Sequence, residues 1–469
     1  MKKGLKLSSA LLSGLMVLGV AGGCSCGKDK DPEVKLPEAR LDTCEANDYS
    51  AACSTITADN FDKYAERDDV MYVDLRNATD YNKAHLQNFE MVQFFAHLYG
   101  TGDQLFIQSN GADNYLPRYA ESVALLEEMF PKNKTIFFMC QSGGRVVHMM
   151  KIMEMNGWDM SKIYNIGGMN QYGESKYKVP GFNVSELTAA TGEVTGEVTA
   201  KSGKYIAKLP TARIDTCEAN DYSAACSSIT SANFDDYAQM EDVVYVDLRN
   251  EADYTKSHLH GFSMIEFFAS IYGTGNQLFV QSNGADNYTA RYAESVEILE
   301  AIFPKDKTIL LMCQSGGRVV HMMKIMEKYG WNMKNVYNIG GMNQYSTSDF
   351  KIDNFKTNEV TPITFKVGTV TETSFGHDYT TTVKVALGAD NKIAALYVGG
   401  ECSDADTWAD NYKWYDKKDE FVNGLIGKTV AEVQAKLGSG NAASGADVVT
   451  GATLSSNRVL KAIVAAFAE

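Results

Sequence analysis

The feature that most constrains this chain is a duplication. Residues 41–172 align without a gap with residues 214–345, at a constant offset of 173. Most positions are identical, and whole strings recur, such as the sixteen residues that begin at Met139 and again at Met312. The unit is far too long to be one layer of a solenoid, so each copy must close a core of its own. The chain of 469 residues then leaves room for a third domain after Tyr345.

Within each copy the patterns alternate. Val70–Asp74 is a short apolar run suited to a buried parallel strand. Residues 119–130 carry helical spacing through Val123, Leu125, Leu126 and Met129. Residues 135–139 form another apolar run, and Val146, Met149, Met150 and Met153 mark one face of a helix that stops near Asn156 and Gly157. A last short strand is expected over 162–166, before Gly167 and Gly168. Alternating strands and helices predict an α/β domain with a mostly parallel sheet flanked by helices. Residues 185–204, rich in Thr, Gly, Ala and Glu, read as an exposed connector. After about Thr364 the pattern changes to alternating strand-like runs and ends in a helical segment over 457–467, a small α+β domain.

The formal net charge of −15 repels phosphate backbones, so nucleic acid is excluded as a partner and any anion site must be local. The N-terminus reads as an address: Lys2, Lys3 and Lys6, an apolar stretch over 7–20, then Ala21, Gly22, Gly23 and Cys24. Small residues directly before a cysteine resemble the lipobox of bacterial lipoproteins. That resemblance implies a signal peptide over 1–23, lipidation of Cys24, a tether over 24–38 and a membrane-anchored, extracytoplasmic protein. Outside the cytoplasm disulfides persist. Cys44 and Cys53 recur in the same string as Cys217 and Cys226, so two local disulfides are expected. No clustered Cys/His pattern suggests a metal.

The chemistry falls where a buried strand meets a helix. Cys140 is followed by Gln141, Ser142, Gly143, Gly144 and Arg145, and Cys313 by Gln314, Ser315, Gly316, Gly317 and Arg318. A thiol there faces the positive end of a helix. The two glycines let successive N–H groups turn inward as an anion nest, and the arginine adds a forked cation. All three favour the thiolate, the nucleophilic form.

This loop resembles the active-site loop of rhodanese-type sulfurtransferases. Asp74, Arg76, Tyr81 and His85 match an upstream segment of that family, and Asn165, Ile166, Gly167 and Gly168 match its closing strand and turn. The resemblance implies that Cys140 and Cys313 carry sulfane sulfur as a persulfide, with Arg145 and Arg318 as anion partners and Asp74, Arg76 and His85 as scaffold. Four residues separate cysteine from arginine, where related phosphatases place five, which favours sulfur transfer over phosphate hydrolysis. The stretch 94–114 is longer than that family leads one to expect and is positioned to reshape the substrate mouth. His148 and His321, inside the following helix, read as structural.

The tail holds Asp447, Thr450, Gly451, Ala452 and Thr453 in the order Asp-x-x-Thr-Gly-Ala-Thr. This is similar to the flavinylation motif of the FMN-binding domain family, found in subunits of redox complexes. It implies FMN attached to Thr453 through a phosphoester by a dedicated FMN transferase, with Asp447 as the recognition acid. A phosphate there would meet the free amides of the closing helix. Cys402 is an unassigned thiol.

The domain reading is therefore a rhodanese-like domain over 39–184, a linker over 185–210, a second rhodanese-like domain over 211–360 and an FMN-binding domain over 364–469. The function expected is a surface redox lipoprotein. Its loop cysteines bind or transfer sulfane sulfur from a small sulfur anion or persulfide donor, and its FMN passes electrons to a redox partner protein. The alternative is a non-catalytic tandem module that binds anions or partners beside a flavin carrier.

Overall fold

The computed structural model describes residues 34–108, 115–195, 206, 208–282, 285–374, 376–388, 391–402, 421–422, 424–437 and 453–468. The signal segment, Cys24 and the motif residues Asp447, Thr450, Gly451 and Ala452 lie outside that set. Among the described residues no helix is long and apolar enough to cross a membrane.

Each copy is built on a four-stranded parallel sheet. In the first the order is Glu90–Met91, Val70–Asp74, Thr135–Cys140 and Ile163–Gly168; in the second it is Ser263–Met264, Val243–Asp247, Thr308–Cys313 and Val336–Gly341. The two central strands of each sheet are covered on both faces, which is why they are apolar apart from a threonine at one strand's start and an aspartate at the other's end. The helix Gly144–Met155 buries Val146, Met149, Met150, Ile152 and Met153 against the sheet, so the methionine face is core, as its spacing predicts. The expected helix over 119–130 is shorter, Ser122–Met129. Tyr119 instead bonds through its N–H to the Ser122 hydroxyl, and a bridge to Pro362 holds it extended.

The scaffold residues behave as expected. Arg76 grips Asp74 with a 2.7 Å bond and donates to the carbonyls of Asp80 and Ala84 at 2.9 and 2.6 Å. This ties the end of the strand to the helix Ala78–Lys83. Burial pushes the Asp74 carboxyl up, against the pull of Arg76. The His85 ring stacks on Tyr81 at 4.0 Å, and burial pushes it down to about 3, so it is neutral at ordinary pH.

The described part of the connector between the copies is mostly exposed, as expected, but it is also docked. It is a strap on the second copy: Ala293 donates to the Thr188 carbonyl and Ala190 to the Arg291 carbonyl, both at 2.9 Å. Val184, Leu187 and Val194 pack on that copy's core. The strap thereby gives the Arg291 carbonyl and the Ala293 N–H their backbone partners. The second copy returns the exchange. Past its strand Lys351–Asp353, Ala120 of the first copy donates to the Thr361 carbonyl at 3.0 Å, and Ile363 donates to the Arg118 carbonyl at 2.7 Å. Phe355 and Val360 pack on the first core.

The copies also meet directly. Ala78, Tyr81, Met91, Tyr254 and Met264 form one buried cluster across the contact. Lys134 reaches Gln239 at 3.2 Å, and Lys307 pairs with Glu66. These two contacts are mates about a pseudo-two-fold axis, since Glu66 and Gln239 occupy equivalent positions.

The C-terminal region is a three-stranded antiparallel sheet, Lys366–Ser374, His377–Leu387 and Ile393–Cys402, backed by the helices Val430–Ala435 and Thr453–Ala466. The closing helix presses so close to the first strand that a Cβ at Gly368 would run into the Ala462 carbonyl.

Candidate active site

Cys140 ends its strand at the C-terminal edge of the sheet, 1% exposed, and Cys313 does the same in the second copy. The loop after each turns sharply because Gly143 and Gly316 sit at φ +89°, a conformation that favours glycine. That turn aims the Gly143 N–H at the Cys140 Sγ, 3.1 Å away, and the Gly316 N–H at the Cys313 Sγ at the same distance. The helix begins at the next residue, so the sulfur lies at the amide-rich end expected of an anion site.

The loop is clamped from behind. Asn165 donates to the Gly143 carbonyl at 3.1 Å and to the Tyr49 carbonyl at 2.8 Å, and accepts from the Gly167 N–H at 3.1 Å. Asn170, with its amide turned to donate, reaches the Gln141 carbonyl at 2.6 Å. Gly168 packs flat on the Gln141 backbone, where a Cβ would collide. Asn338, Asn343 and Gly341 repeat this clamp. The disulfides are present as the spacing predicts, Cys44 to Cys53 and Cys217 to Cys226. The first closes a segment that reaches Ala51, and a Cβ on Gly143 would lie 3.0 Å from the Ala51 side chain. Cys140 and Cys313 are free and buried.

Gln141 and Ser142 are exposed, so the loop opens outward to solvent. Arg145 is half-buried over it, and its Nη1 is buried with no hydrogen-bond partner among the described residues. The Arg318 guanidinium donates to the Leu248 carbonyl over a long 3.5 Å. Each guanidinium lies over a phenylalanine ring, Arg145 at 5.6 Å from Phe95 and Arg318 at 5.5 Å from Phe268. His148 is set among Phe94, Tyr99 and Tyr115, with the Tyr115 hydroxyl 2.8 Å from Nδ1, which fits its structural reading.

A strand-end cysteine, an amide aimed at its sulfur and an arginine four residues beyond therefore occur twice. The rhodanese-like domain family matches residues 57–175 and 230–348. The chain belongs to the rhodanese-like family. Behind the two rhodanese-like domains, residues 376–468 match the FMN-binding domain family. No curated relative matches the chain.

In the FMN-binding domain Thr453 opens the closing helix, and Ser455, Ser456, Asn457 and Arg458 after it are buried. The Arg458 guanidinium stacks on Tyr379 at 4.6 Å and donates to the Ser455 hydroxyl at 3.1 Å. A helix start followed by a buried polar turn with a cation fits a phosphate group such as FMN carries. Sequence reasoning missed the Asn165/Asn170 clamp and the Phe95/Phe268 pair. The signal was available in the repeat, because all three positions, Asn165, Asn170 and Phe95, recur unchanged at the offset of 173.

Proposed function

We propose that Cys140 and Cys313 are sulfane-sulfur carriers. The observation that carries this reading is a buried sulfur facing an amide N–H in both loops, joined in the first domain by a buried Arg145 nitrogen that has no hydrogen-bond partner among the described residues. The thiolate attacks the outer sulfur of an anionic donor such as thiosulfate. A cysteine persulfide forms, and sulfite leaves with the electron pair of the broken S–S bond. An acceptor thiolate then takes the outer sulfur and restores the cysteine thiolate. The loop amides and Arg145 or Arg318 hold the anionic end of the donor.

The finer reading of the tail is that Thr453 carries FMN through a phosphoester, placed by an FMN transferase that recognises Asp447. FMN supplies redox chemistry when bound, and the chain supplies the helix start and the buried Arg458 turn. Lipidation at Cys24 would hold the protein on the extracytoplasmic face of a membrane, with the redox partner beside it.

Arg145→Leu tests the site: it should slow alkylation of Cys140 severalfold and leave Cys313 at its wild-type rate. Equal rates at Cys140 in both proteins would reject the anion role of Arg145. For the tail, co-expression with an FMN transferase should give flavin that survives denaturation, and Thr453→Val should abolish it. Covalent flavin on the Thr453→Val protein would reject that attachment site.

A further inference from the structure

The sulfur-carrier reading leaves one recurring feature unused. Phe95 is 49% exposed and Phe268 is 52% exposed, while their neighbours Phe94 and Phe267 are 1% exposed. Exposing half of a phenylalanine ring is unfavourable in water, and here it happens twice at the same place. Each ring rides on a single π-helical turn, Phe94–Leu98 or Phe267–Ile271, a rare element frequent at functional sites.

The turn is held in place by a dedicated bond. The Gln104 side chain donates to the Phe95 carbonyl at 2.8 Å, and Gln277 donates to the Phe268 carbonyl at 2.8 Å. Gly100 and Gly273 leave room for those glutamines, since a Cβ at either would crowd the amide. Around the rings the copies diverge: Gln93 becomes Glu266 and His97 becomes Ser270. The Phe-Phe-Ala core of the turn does not change. The exposed ring and its π-helical turn are thus the same in both copies although these two neighbours differ.

The position of the ring gives its use. Each ring lies against the guanidinium that flanks the cysteine loop, so an apolar face and an anion site stand side by side at one mouth. Inorganic thiosulfate fills only the anion site. An organic donor with an anionic sulfur group on an apolar body fills both, and covers the exposed ring.

We propose that Phe95 and Phe268 select organic sulfur donors, of the aryl or alkyl thiosulfonate and persulfide class, over inorganic thiosulfate. This rests on the sulfur-carrier reading of the same loops for its catalytic consequence, but the binding preference can be measured without turnover.

The test uses the full chain and the Phe95→Ala/Phe268→Ala double variant. Benzenesulfonate and sulfate, neither of which transfers sulfur, are titrated as protectants of Cys140 and Cys313 against alkylation. In the wild type benzenesulfonate should protect at a concentration at least tenfold lower than sulfate. The double variant should lose most of that difference, and Phe95→Leu/Phe268→Leu should recover part of it. Turnover with benzenethiosulfonate and thiosulfate should then show the kcat/KM ratio falling about tenfold in the alanine variant, mainly through KM. Protection ratios that agree within twofold between wild type and alanine variant would overturn the assignment. Absence of turnover with both donors, with the protection difference intact, would instead reject the sulfur-carrier reading and leave the binding preference established.

Discussion

The two rhodanese-like domains match where sulfur would be handled and differ where they touch each other. Around Cys140 and Cys313 the amide-to-sulfur distances agree at 3.1 Å, and the glycine, asparagine and phenylalanine supports recur one for one. At the contact between the domains the symmetry fails. Glu90, fully buried, accepts from the Gly261 N–H at 2.9 Å and lies 3.1 Å from His260 Nδ1. The equivalent positions on the other side of the axis are Ser263 and Gln87, which cannot form that pair. Asn88 likewise donates across to the Val243 carbonyl at 2.8 Å, and its mate is Gly261. The two sites thus operate under one set of constraints, while the interface has become specific to a fixed first-with-second pairing. The exchanged straps add to this, because each lends apolar side chains to the other domain's core.

The sharpest way to break the equivalence of the sites is to wreck one loop only. Gly168→Val places branched bulk on the Gln141 backbone and should cost on the order of 4 kcal/mol, with loss of sulfur loading at Cys140 and retention at Cys313. Peptide-resolved loading together with denaturant unfolding checks it, and equal loss at both cysteines would mean that the domains are not separable. Phe355→Ala tests the strap. It removes a ring packed 5.7 Å from Tyr119, across the domain boundary, and should cost roughly 2–3 kcal/mol. Hydrogen exchange should quicken over 118–121 in the first domain, with no change over 291–294.

Acid should find both domains alike. His85 and His258 are buried and neutral, pushed down to about 3 and about 4 by desolvation. The unfolded chain binds these protons near pH 6.5 while the native chain does not, so the stability they contribute is present above that pH. It is lost as pH falls from about 6.5 towards the native values. At pH 5 each should have cost roughly 2 kcal/mol, and a double His85→Gln/His258→Gln variant should show a flatter stability profile between pH 6.5 and pH 5. The smallest effect is expected at the asymmetric pair. Glu90→Gln keeps shape and one acceptor, so it should cost about 1 kcal/mol, whereas Ser263→Ala, at the mate position, should change stability by less than half of that. A larger effect at Ser263 would mean that the interface is more symmetric than its contacts suggest.

Much of this was legible in the residues, for physical reasons. Apolar runs such as Val70–Asp74 can be little else than buried parallel strands, and a cysteine before two glycines and an arginine needs the strand-to-helix turn that Gly143 makes. The disulfides follow from short spacing within each copy. The straps were not legible. Residues 185–195 are polar enough to read as an exposed connector, and their docking depends on backbone groups at 291–294 that are distant in sequence. The helix start was misplaced at Tyr119 because its apolar ring serves the strap contact rather than the helix face. The clamp by Asn165 and Asn170 was hidden because asparagines flanking a Gly-Gly pair at two positions' distance read as part of a turn.

The central claim is that both loops carry sulfur, and the most direct measurement is peptide-resolved mass spectrometry of the non-reduced protein after incubation with benzenethiosulfonate. The account predicts a gain of one sulfur atom on the Cys140 peptide and on the Cys313 peptide, with Cys44 to Cys53 and Cys217 to Cys226 recovered as intact disulfides. Cys140 and Cys313 recovered without added sulfur, under conditions that load a control sulfurtransferase, would contradict it.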